Sequence, residues 1–118
     1  MAELLRDGDS VVLRLSVAEK AESLHGDLVI PVGSIVDIQS VDDIIHLVHG
    51  LRLPGSRWPG RFAMGTFISS DSKTFAVVHG DTKRGVRIQL KDEGFTEVLV
   101  GSPDPDATIM SLGIGSSS

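Results

Sequence analysis

Apolar residues at every second position constrain this 118-residue chain more than any other feature. Val11, Leu13, Leu15 and Val17 alternate with Arg14 and Ser16, and Val86, Ile88 and Leu90 alternate with Arg87, Gln89 and Lys91. Successive side chains of a strand point to opposite faces, so this spacing gives each segment one apolar face. Such a face is stable only when a second layer covers it. Five further stretches read as short strands: 27–31, 35–41, 61–69, 73–79 and 95–100. Seven strands are therefore expected. Ser69–Ser72 and Asp92–Gly94 have the chemistry of hairpin turns, and Gly80–Arg84 reads as a polar loop.

Helical signals interrupt this rhythm in three places. Val17–Leu24 consists of good helix formers and suits one or two turns. Val41–Val48 suits a short helix started by Asp42 or Asp43 and stopped by Gly50. Near the end, Asp104 can cap free amides, Pro105 fits the first helical position, and Asp106 favours the positive end of the dipole. Ile109 and Leu112 then lie three apart on one face. Gly113 and Gly115 end the helix, leaving a short tail over about 113–118 in a single domain of residues 1–118.

Charge is sorted along the chain. Residues 1–49 hold three basic and nine acidic side chains, residues 50–91 eight and two, and residues 92–118 none and five. The segment charges are −6, +6 and −5, for a net of −5. That balance argues against nonspecific nucleic-acid binding and against strong attraction to an anionic membrane. A hydrophobic content of 41% fits a globular domain, and no apolar run reaches the ~20 residues that cross a bilayer. Met1–Asp7 lacks the basic start and apolar core of a signal peptide, and there is no cysteine. A cytoplasmic location is expected.

Within the basic stretch, Gly50–Arg61 contains Arg52, Arg57, Arg61 and the only tryptophan, Trp58, with no acid among them. Arginine and tryptophan are typical anchors of protein interfaces, and three guanidinium groups also suit a carboxylate or phosphate. Arg52, Arg57, Trp58 and Arg61 are therefore the candidate residues for a protein partner, a second copy, or a small anionic ligand or lipid headgroup. In a second reading, Pro54, Gly55, Pro59 and Gly60 only shape a long connection whose arginines pair with the acidic segments. His46 and His49, three apart near Asp42 and Asp43, could hold zinc or nickel, or be plain surface histidines. No ligand spacing supports a metal, so none is expected, and no cofactor either. No nucleophile motif, phosphate loop or paired catalytic carboxylates stand out, and a non-catalytic module is expected.

An ordered set of short motifs runs through nearly the whole chain. It comprises Ala18-Glu19-Lys20, Leu24-His25-Gly26-Asp27, Val29-Ile30-Pro31, Gly50-Leu51-Arg52 with Pro54-Gly55, and Pro59-Gly60. Gly65-Thr66-Phe67, Phe75-Ala76-Val77-Val78-His79 and Asp104-Pro105-Asp106-Ala107 complete it. With this order, the chain resembles small bacterial pleckstrin-homology (PH)-like domain proteins. The resemblance implies a mainly β, α+β fold: a seven-stranded antiparallel barrel or sandwich capped by a C-terminal helix. In such a barrel Ile109 and Leu112, with Met110 as a further candidate, would plug one open end, and the fold by itself implies no activity. Phosphoinositide-binding members gather Lys and Arg near the first hairpin, where this chain has Asp7, Asp9, Glu19, Glu22 and Asp27 against Arg14 and Lys20. That difference argues against an inositol phosphate as the ligand.

Overall fold

A computed structural model describes residues 3–17, 26–47, 51–52, 63–68, 72–78, 83–91 and 94–113. They form a mainly β, α+β fold of two sheets and one C-terminal helix.

The smaller sheet is built from β1 (Glu3–Asp7), β2 (Ser10–Arg14) and β3 (Leu28–Pro31), antiparallel in that order. β1 and β2 meet through Gly8-Asp9, with Gly8 at φ 59. Two-residue hairpin loops need positive φ, which glycine adopts without strain. Leu4, Val11, Leu13 and Ile30 face inward, so the alternation read in the sequence places the core here.

Immediately after β3, a 3-10 turn over Val32–Ser34 redirects the chain into the larger sheet. Val32 N–H donates to the Asp9 carbonyl at 2.8 Å, which ties this corner to the first hairpin. The larger sheet contains β4 (Ile35–Val41), β5 (Leu51–Arg52), β6 (Ala63–Ile68), β7 (Lys73–Val78), β8 (Gly85–Leu90) and β9 (Glu97–Gly101). Its order is β4-β8-β9-β7-β6-β5. A second 3-10 turn, Ile44–Leu47, stands where the sequence predicts a short helix.

One apolar core joins the layers. Leu4, Val11, Leu13, Leu15 and Ile30 from the small-sheet side pack with Ile38, Phe75, Val77, Val86, Ile88, Val98 and Val100. The final helix, α1 (Pro105–Leu112), packs against β1, β4 and β8 and buries Leu112 in the same core. Its start follows the sequence reading: the Asp104 carboxylate accepts from Ala107 N–H at 3.2 Å, with Pro105 next and Asp106 in the first turn.

Four expectations need correction. Nine strands, not seven, are described: β1 carries its two apolar residues, Leu4 and Leu5, side by side and so shows no alternation, and β5 is only two residues long. Not all pairing is antiparallel: β9 lies between β7 and β8, parallel to β7. The described strands form two separate ladders, so the sandwich form holds and a closed barrel does not. Met110 is 81% exposed, whereas Ile109 and Leu112 do pack inward. The reading of Val17–Leu24 as helical falls almost entirely outside the described residues.

Candidate functional site

The larger sheet has a second face, directed away from the small sheet. Alternate residues of its central strands, Ala76, Val78 and Leu99, are buried there with Phe67 and with Ile44 from the 3-10 turn. Beside this cluster the face becomes polar. The register aligns Arg52, Phe67, Thr74, Glu97, Gln89 and Asp37 across all six strands. Thr74 and Glu97, at the middle of that row, are 1% and 8% exposed.

A buried carboxylate requires partners to offset its lost hydration. Glu97 has two. Thr74 Oγ1 donates to Glu97 Oε1 at 3.3 Å, and Arg87 Nε donates to Oε2 at 3.1 Å. Arg87 is thereby held by one edge of its guanidinium, while its terminal nitrogens have no other partner among the described residues. No described polar side-chain atom is buried without a hydrogen bond.

Arg52, the first sequence-predicted site residue, lies in β5 at the outer edge of this sheet and pairs with Phe67 in the β5–β6 register. Arg57, Trp58 and Arg61 lie outside the described residues, as do His25, His49 and His79. Among the described residues, no group of three His, Asp or Glu is placed to hold a metal ion.

Sequence reasoning missed the use that folding makes of other basic residues. Arg84 lies 3.8 Å from Asp42 and 3.4 Å from Asp106, so one cation of the middle stretch meets acids of both flanking stretches. Arg87 and Glu97 repeat that pattern. Lys73 Nζ stands 5.2 Å from the Phe95 ring centre, itself 5.5 Å from Phe75. Only the alternation of β8 could have signalled this: Arg87 sits opposite the buried Val86 and Ile88, on the face that receives Glu97.

A cleft of about 310 Å³ lies between β1 and the start of α1, with Leu4 and Val100 among its lining and Glu3 and Asp104 as its acids. Its hydroxyls are already engaged. Ser102 Oγ lies 3.2 Å from Thr108 Oγ1 and accepts from Asp104 N–H at 3.3 Å. These bonds build the helix start rather than a ligand cradle.

Comparison with family models, with curated proteins and with solved structures gives no match for this chain.

Proposed function

We propose that this chain is a non-catalytic binding or assembly module that contacts a protein partner or a second copy through its basic segment. One observation carries this reading: β5 is an edge strand only two residues long, and the acid-free Gly50–Arg61 run passes through it. An edge strand presents unpaired backbone groups, and the adjoining arginines and Trp58 supply the side chains that anchor an interface. Arg84 and Arg87 pair within the fold, which makes these two cations of the basic stretch less suited to an external contact.

The finer pleckstrin-homology-like assignment belongs to the same proposal. Two sheets ended by a packed helix support it, and the parallel β7–β9 pair speaks against it. A cytoplasmic setting agrees with the lack of cysteine, and no described helix is long and apolar enough to cross a membrane.

Affinity capture from the native cell, with the intact chain and an Arg57→Ala/Trp58→Ala variant as baits, tests the function. Capture of a defined protein, or of the chain itself, by the intact bait alone is the expected result. Equal capture by both baits removes the basic segment from the interface. The rival reading, a sensor of small anions, predicts a rise in Tm with saturating phosphorylated ligands, since ligand that binds only the folded state stabilises it.

A further inference from the structure

The small sheet has an outer face that neither the shared core nor α1 uses. Its register aligns Leu5, Val12 and Val29 across β1, β2 and β3. Side chains directly opposite on one face of a sheet lie about 5 Å apart, so the three form a continuous aliphatic row. Leu5 and Val12 are half-buried and Val29 is 62% exposed. Glu3 and Arg14 flank the row on one side, Asp7, Ser10 and Pro31 on the other. Asp9 lies in the adjoining turn. Among the described residues, Glu3, Asp7 and Asp9 have no ion pair, unlike Asp42, Glu97 and Asp106 elsewhere in the fold.

We propose that this outer face is an acceptor surface for the 50–61 segment of a second copy of the chain. Charge complementarity selects that occupant. Three unpaired acids against one arginine rim an aliphatic row, and the chain's own acid-free segment offers Arg52, Arg57 and Arg61 beside Leu51, Leu53 and Trp58. The contact joins two different surfaces, so it is heterologous and builds a ring or an open chain of copies. Apolar contact supplies affinity, while the charges set orientation and the rate of encounter. The assignment rests on the binding role of the basic segment proposed above and adds the surface that it meets.

The two surfaces can be disabled separately in the full-length chain. Asp7→Lys/Val29→Lys disables the acceptor at two exposed positions, and Arg57→Ala/Trp58→Ala disables the donor. By sedimentation velocity at low salt, the unaltered chain should assemble with rising concentration, and each variant should associate about tenfold more weakly. Mixed together, the two variants should form a 1:1 pair that grows no further, because one sound acceptor meets one sound donor. Unchanged circular dichroism confirms that each variant folds. Val29→Glu, which keeps the acidic character, should weaken assembly less than Val29→Lys.

A monomeric unaltered chain, or two variants that fail to pair on mixing, overturns the acceptor face. Loss of assembly in the donor variant alone also overturns it, yet leaves the basic segment as a binding site. Undiminished assembly in both variants removes the acceptor face and the basic segment together.

Discussion

Gly85 shows how closely the two sides of the larger sheet are fitted. A Cβ at this position would meet the Ile44 side chain and the Val100 carbonyl oxygen. Ile44 could rotate away; the backbone carbonyl of a central strand cannot. Gly85→Ala is therefore expected to cost about 1–3 kcal/mol, the usual penalty for overfilling a packed site, and chemical denaturation would measure it. An unchanged midpoint and slope would show that β8 and β9 can separate locally. This requirement is invisible in the sequence, where Gly85 reads only as the end of a polar loop. The start of α1 was fully legible, because Asp104, Pro105 and Asp106 act on neighbours within three positions. Its other end was legible in Gly113, the expected stop, which takes the left-handed C-cap at φ 68, but one part of the capping there was not. No basic residue occupies the last turn, and Arg6, more than one hundred positions earlier, donates from Nη1 to the Leu112 carbonyl at 2.8 Å. A cap supplied by another element leaves no local pattern to read.

Strands were legible in proportion to how many of their faces are wet. β2 and β8 each cover a core on one face only, so their apolar residues alternate and both strands follow from the sequence, although the alternation read to Val17 outruns β2, which ends at Arg14. β7 and β9 are buried on both faces over Thr74–Val78 and Glu97–Gly101. Central, doubly covered strands read as continuous apolar runs, which identify a strand but carry no information about its neighbour. The parallel β7–β9 pairing was lost for that reason. β1 left one usable trace, the Gly8-Asp9 pair of the two-residue loop that follows it, which is hairpin chemistry. For α1, the three-residue spacing of Ile109 and Leu112 identified the packed side but overextended it to Met110. Leu112 is 1% exposed and Met110 81%. Leu112→Ala should therefore cost about 2–5 kcal/mol. Met110→Ala, lacking such packing, should stay within about 0.5 kcal/mol. Thermal unfolding of the two variants side by side decides the matter, and equal losses would mean that α1 is not seated as described.

Sorting of charge by sequence position is only partly a sorting in space. Folding brings Arg84 to Asp42 and Asp106, and Arg87 to Glu97, so part of the basic stretch is neutralised by the chain's own acids. From sequence alone, Arg52, Arg57 and Arg61 stood out as candidates for a partner, and nothing marked Arg84 or Arg87 as paired within the fold. Among the described residues, the acids around the aliphatic row of the small sheet have no ion pair, and β5, at an edge of the large sheet, carries Leu51 and Arg52 of the acid-free segment. Ionic strength separates the two uses of charge. Arg87–Glu97 is shielded from solvent, with side chains 30% and 10% exposed, and salt screens such a pair weakly. The exposed Arg84 contacts contribute little to stability in any salt. Contacts between copies instead depend on fields acting through water, whose range falls from about 8 Å at physiological salt to about 3 Å at 1 M. Raising salt over that interval should slow and weaken assembly in sedimentation experiments without abolishing it, while moving Tm by no more than a few degrees. Assembly that strengthens with salt would instead identify the aliphatic row alone as the adhesive element, with the flanking acids having no part in choosing the partner.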